Sequence, residues 1–446
     1  MSYFAEIPYV GWTLPFLFVL SIVVFVHEYG HYIVGRWCGI RAEIFSIGFG
    51  PELTHWVDKR GMRWRVGMLP LGGFVKFAGD MNAASAGVDK AALDGMTEEE
   101  RKGAFHTATV WRRALTVSAG PVANFILSTF LFAGLALWQG SAINEPVVGT
   151  VRADAGADIG LKAGDRVISV NGQYVETFSD LLSELLEVEG QKVTALVNRG
   201  AGEETIEVQF LAPARIAEVM PGGGAANAGL RSGDIVTAID GAKIGSFEDL
   251  RTTIIASGGE EMQFEILRGG QTLSLPVRPA ETQPDPNACN VTRPMVGVIG
   301  VFDGGLEPEI GTKPLGESLQ YGAARTQAII TGSLNFLYQI IRGCADAKQL
   351  GGPIQIANVS GQSAEQGFAS LIRMMALISA SIGLINLFPI PVLDGGHLVF
   401  YAYEAIRGKP IKERWQEIGM GLGISLILLL MVFATYNDIL RMVTAW

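Results

Sequence analysis

The stretch VVFVHEYGHYIVGRW, Val23–Trp37, decides how the rest of the chain is read. His27, Glu28 and His31 spell H-E-x-x-H. On a helix, residues i and i+4 share a face, so both imidazoles can ligate one metal while the carboxylate between them reaches a water. Yet Ile7–Val26, immediately before, holds no charged residue and is long enough to cross a bilayer. Ionisable groups inside a span cost on the order of 3 kcal/mol each on insertion scales, so three together need a compensating role. The plain alternative is a polar set that only knits helices together by hydrogen bonds.

Outward from this stretch, the composition agrees with a membrane protein. Of 446 residues, 49% are hydrophobic and only 17% charged, less charge than a soluble enzyme of this length usually carries. Charge-free windows recur at Ala114–Trp138, Met374–Leu393 and Ile418–Asn437. The first window is expected to be a retained span rather than a cleaved signal peptide, because it lacks a basic n-region and cleavage would discard the metal motif. The fold class expected is a polytopic α-helical membrane protein with four transmembrane helices, at 7–35, 114–138, 371–393 and 418–437. Basic residues set its orientation. Twelve lie from Arg36 to Arg113, and four (Arg407, Lys409, Lys412, Arg414) lie between the last two spans. The positive-inside rule therefore places both short connecting segments in the cytoplasm and both termini outside. The segment 139–373 is then external. It carries 17 basic and 28 acidic residues, a net charge of −11, which argues against a nucleic-acid partner.

That segment contains a repeat. GLKAGDRVISVNG at 160–172 returns as GLRSGDIVTAIDG at 229–241, an offset of 69, and Phe178 and Asp180 recur as Phe247 and Asp249. Each copy reads as a turn, a G-D corner, an alternating strand, a second turn and a helix. The pattern resembles the PDZ fold in its bacterial arrangement, giving two inserted PDZ-like β/α domains at 145–211 and 213–280. PDZ domains take peptide chain ends by strand addition; the plain alternative is a pair of ligand-free spacers. The remainder, 281–370, reads as a Pro/Asn-rich linker, one more strand in PMVGVIGVF, and amphipathic helices lying at the membrane surface. Cys289 and Cys344 both fall in the external segment, though no spacing motif pairs them, and Cys38 falls in the cytoplasmic one.

A catalytic zinc site usually has three protein ligands and an open position. HYIVGRWC supplies no third His, and neither His55 nor His106 sits in a supporting pattern. NLFPIPVLDGGH, 386–397, is the better source. Pro389 and Pro391 break the third span near its inner end, and Asp394 follows at the depth of His27 and His31. His397, three residues on, competes for the same role. H-E-x-x-H in the first span with N-x-x-P-x-P-x-L-D-G in the third resembles the site-2 protease family of intramembrane zinc metalloproteases. The tandem PDZ insertion narrows the resemblance to the bacterial regulator-of-sigma-E protease type, over nearly the whole chain.

The resemblance implies that Zn2+ is held by His27, His31 and Asp394, that Glu28 is the catalytic base, and that Asn386 belongs to the segment holding substrate. It also likens GMLPLGGFVKF, 67–77, to a membrane-reentrant β-hairpin, placed at 63–77 within the cytoplasmic loop 36–113, and Gly120, Pro121 and Asn124 to a second-span motif. Without it, Asn124 reads as an interhelical hydrogen-bonding residue. A helical substrate hides its carbonyls in i→i−4 bonds and must unwind. Gly72, Gly73 and the segment with Asn386, Pro389 and Pro391 are the expected backbone edges for the extended strand. The implied partners are single-pass membrane proteins such as an anti-sigma factor, or remnant signal peptides, and the implied location is the bacterial inner membrane with the PDZ domains on its periplasmic side. Tethered between spans two and three, the modules are expected to exclude substrates bearing bulky external domains. Two rivals remain. A metal transporter would not need Glu28 between its ligands, and a PDZ-bearing scaffold without proteolysis would tolerate its loss.

Overall fold

Four helices are long and apolar enough to cross a membrane. A computed structural model describes residues 10–80, 95–152, 159–200, 202–219, 224–285, 288–296, 298–301, 305–345, 347 and 350–444. The chain divides into two compact units, one built mainly from Met1–Trp138 and Leu350–Asp438, with Pro314–Asn335, the other mainly from Gln139–Lys313.

The first unit holds helices α1 (Val10–Trp37), α2 (Val110–Gln139), α3 (Leu315–Ile341), α4 (Pro353–Glu365), α5 (Phe368–Asn386), α6 (Asp394–Arg407) and α7 (Glu413–Thr444), with strands β1 (Ala42–Val57) and β2 (Arg63–Phe77). Lipid offers no hydrophobic gain between helices, so they pack where small residues let backbones close up. A Cβ on Gly30 of α1 would stand 2.5 Å from the Ala119 carbonyl oxygen of α2. One on Gly383 of α5 would stand 3.0 Å from the Pro121 oxygen, so α1 and α5 meet the same stretch of α2. Further along α2, Thr326 of α3 donates to Ser128 Oγ at 3.0 Å. The buried Asp438 carboxylate of α7 accepts from the amides of Gly352, Ile354 and Gln355 at 2.9–3.0 Å, satisfying donors that the start of α4 leaves open.

Two expectations for the first unit are corrected. The hairpin is not 63–77 alone: β2 pairs with β1, Phe45 lying opposite Val75 on one side and Trp64 on the other. Its strand signal is the alternation in AEIFSIGF, whose Phe45 is fully buried with Tyr32, Val75 and Phe77. The third span stops at Asn386 rather than 393, and an unforeseen helix, α6, begins at Asp394. Pro389 and Pro391 lack the amide a continuing helix needs. Gly395 and Gly396 then let α6 fold back on the break, since Cβ atoms there would stand 2.2 Å from Leu387 O and 2.3 Å from Ile390 O. Arg113 of α2 holds α6 in place: it donates to Glu404 at 2.7 Å and covers the Tyr401 ring at 5.1 Å.

The second unit contains two related sheet modules. In the first, the strand order is Gln173–Tyr174, Arg166–Val170, Lys192–Arg199, Gly202–Gln209, with Leu181 and Leu185 of helix Phe178–Glu187 fully buried in its core. The second runs Gln271–Val277, Met262–Arg268, Ile235–Ile239, Ala214–Val219, Val298–Val301. The 69-residue repeat is exact in its polar anchors. Arg199 bonds Asp165 and the Gly160 carbonyl, as Arg268 bonds Asp234 and the Gly229 carbonyl. Burial opposes the charge on Asp165, yet the Arg199 guanidinium and the Lys162 amide hold its carboxyl below the usual range. Thr177/Asp180 and Ser246/Asp249 form matching capping boxes.

The run expected to be a linker instead forms a two-stranded ladder of its own, while PMVGVIGVF supplies the expected strand. Ala280–Asp285 ladders with Ala288–Met295. Val298–Val301 joins the second module, while Leu306–Pro308 and Ile310–Gly311 pair back with Val148–Val151 and Ser141–Ala142 before the first. Cys344 is disulfide-bonded and Cys38 is a free thiol.

Candidate metal centre

One turn of α1 separates His27 and His31, and their Nε2 atoms stand 3.1 Å apart. Asp394, the first residue of α6, brings Oδ2 to 3.1 Å from one and 3.5 Å from the other. These three side chains form the one metal-sized group of His, Cys, Asp or Glu among the described residues. Two features show that the set fits a zinc ion. His31 Nδ1 lies 2.9 Å from the Thr116 carbonyl, which can only accept, so the proton is on Nδ1 and Nε2 turns its lone pair toward the cluster. Asp394 Oδ2 is buried and makes no hydrogen bond. Two imidazole nitrogens and a carboxylate oxygen, converging and otherwise unsatisfied, match the three-ligand set that leaves a fourth position open.

The surroundings are shaped for this cluster. Gly120 of α2 faces both rings, where a Cβ would stand 2.3 Å from His31 Nε2 and 2.9 Å from His27 Cε1. Glu28 lines a cavity of about 360 Å³ together with His27, His31, Asp394 and Asn386. Gly72 and Gly73 of β2 form part of its wall. A Cβ on Gly73 would stand 3.3 Å from Glu28 Cγ, so the glycine brings the strand against the carboxylate.

Pro389 and Pro391 are not among the residues lining the cavity. Pro391 instead faces α7, where a Cβ on Gly423 would stand 3.4 Å from its ring. His397 lines the cavity without joining the ligand group. His55 pairs with Glu52 at 2.5 Å and His106 with Asp80 at 2.9 Å, and neither lines the cavity. Thr116 was not singled out by sequence, because its contribution is a main-chain oxygen that any residue carries.

The profile of Peptidase family M50 matches residues 15–430. The chain belongs to this family. A protein of Agrobacterium fabrum named as a zinc metalloprotease is 40% identical over 96% of this chain and 96% of its own. Similarly named proteins of Mesorhizobium japonicum (37%, covering 97% and 99%) and Neisseria meningitidis serogroup A (35%, covering 96% and 99%) align over nearly the same extent. This M50 chain is thus a membrane zinc metalloprotease, and the His27–His31–Asp394 cluster is its candidate metal centre. Asp394→Ala in the purified M50 chain is expected to lower zinc content, since two imidazoles alone hold the ion weakly. His397→Ala and His55→Ala are expected to leave it full. Zinc quantified by mass spectrometry checks this, and an empty His397→Ala protein beside a full Asp394→Ala protein would reverse the assignment.

Proposed function

We propose that this chain is an intramembrane protease that cuts transmembrane segments of single-pass proteins already trimmed outside the membrane, of the anti-sigma-factor type or remnant signal peptides. Its place would be the inner membrane of a bacterium, with the two sheet modules acting as PDZ domains on the periplasmic side. The observation that carries the reading is the single cavity in which the metal-binding trio, Glu28, Asn386 and a glycine-bearing strand meet. The cavity lies against helices long enough to span a bilayer, where a substrate helix would be found.

Each residue has a defined task. His27, His31 and Asp394 would hold a zinc ion, which when bound would supply Lewis-acid polarisation. Glu28 would take a proton from the attacking water and return it to the leaving amine. The cleaved segment must be extended to expose its carbonyl. Gly72 and Gly73 give β2 a bare backbone against which such a strand can lie, and Asn386 offers an amide for the carbonyls and N–H groups freed by unwinding.

The modules are tethered by sequence between α2 and α3, and we assign them a sieving role in which steric exclusion dominates over peptide docking. Because strands within 298–311 pair with strands within 141–219, removing 145–280 alone would orphan pairing edges. The deletion that tests the idea therefore runs from Ser141 to Gly311. It is expected to allow cleavage of untrimmed substrates while trimmed ones remain cleavable, read by gel shift of a single-pass substrate in membranes. A zinc-loaded deletion protein that still rejects untrimmed substrates would remove the sieve, and one that binds substrate without cutting would favour the scaffold.

A further inference from the structure

His27 enters the metal cluster through Nε2, which leaves Nδ1 to be satisfied elsewhere. The atom that meets it belongs to Asn124 of α2, whose side-chain amide stands 3.2 Å away and is wholly buried. The two ends of an amide are isosteric, so which end faces the ring follows from the hydrogen bonds. With Nδ2 toward Nδ1, the ring would keep its proton on Nε2, where it blocks ligation, and Asn124 Oδ1 would stay buried with no partner, as it is in that orientation. With Oδ1 toward the ring, the amide accepts from Nδ1–H and Nε2 presents its lone pair. His31 already has this arrangement through the Thr116 carbonyl.

We infer that Asn124 is a positioning residue whose amide oxygen fixes His27 in the metal-binding tautomer. The inference rests on the reading of His27 as a ligand. Asn124 is itself held from a third helix: Ser379 of α5 donates to its main-chain oxygen at 2.8 Å. One residue thus ties the α1 ligand to the crossing of α2 and α5, and its carbonyl end substitutes for the carboxylate or main-chain oxygen that usually orients a ligating imidazole.

The test uses the full-length, detergent-solubilised chain and measures zinc affinity by competition with a chelator of known affinity. Asn124→Leu, close in size but unable to accept, is expected to weaken zinc binding about 10- to 100-fold. Asn124→Asp keeps an acceptor in the same place and is expected to bind zinc within a few-fold of the wild type. The cobalt-substituted Asp variant is expected to keep the visible absorption of the parent. A Leu variant with unchanged affinity overturns the inference. An Asp variant as weak as the Leu variant also overturns it, because the amide would then be acting as donor, and this arm decides the matter even where Asn124→Leu does not fold. His27→Ala abolishing no zinc binding would instead remove the ligand reading on which the inference stands.

Discussion

Glu28→Gln is expected to bind zinc as the parent does and to cleave a transmembrane substrate about 10²- to 10⁴-fold more slowly, or not detectably. Glu28 is not in the metal-sized group, so the ion keeps all three of its ligands. The glutamine is nearly the same shape, so the wall that Gly73 forms against residue 28 stays in place. What is lost is the ability to take a proton. Measuring zinc content and cleavage on the same preparation separates the two effects, and near-normal cleavage by a zinc-loaded Gln variant would take the base role away from Glu28. Membrane peptides that accumulate in cells carrying this variant would identify the substrates.

Gly120→Ala is expected to be nearly as damaging, although Gly120 carries no chemistry. The added methyl would overlap His31 Nε2 and Cε1, at 2.3 and 2.5 Å, so the ring must leave its position. A ligand displaced by about 1 Å can cost on the order of 100-fold in rate, and zinc content should fall with it. Gly134, in the same helix, has nothing within 4 Å of its would-be Cβ, and Gly134→Ala is expected to leave zinc and cleavage unchanged. Equal behaviour of the two alanine variants would show that the close approach at Gly120 does not matter.

Much of this site was legible in the sequence because metal chemistry leaves few options. His27, Glu28 and His31 are fixed by helical spacing, and Asp394 follows from a proline-broken span reaching the same depth. The structure brings these four together. What sequence could not supply depends on close approach between distant segments. Nothing in the order of residues says that Gly120 faces both imidazoles or that a Thr116 carbonyl orients one of them. The same limit applies to Pro389 and Pro391. Their missing amides announce that a helix ends, but not which side of the break will face the cavity. In the segment 139–373, the repeat revealed the two cores and PMVGVIGVF marked the strand that joins the second sheet, whereas the Pro/Asn-rich run that looked like linker gave no sign of the separate ladder it forms.

Those late strands also impose a timetable on biosynthesis. Arg152 of the first module pairs with Glu307, which is made 155 residues later. At the usual 5–20 residues per second, that wait is roughly 10–30 s. The short strands Ser141–Ala142 and Val148–Val151 before the first module therefore stay unpaired while the second is produced, and only the arrival of residues up to Gly311 closes their ladders and that of Ala214–Val219. A nascent chain halted anywhere between Gln209 and Val298 would leave these strand edges unpaired, the kind of edge that invites pairing with another chain.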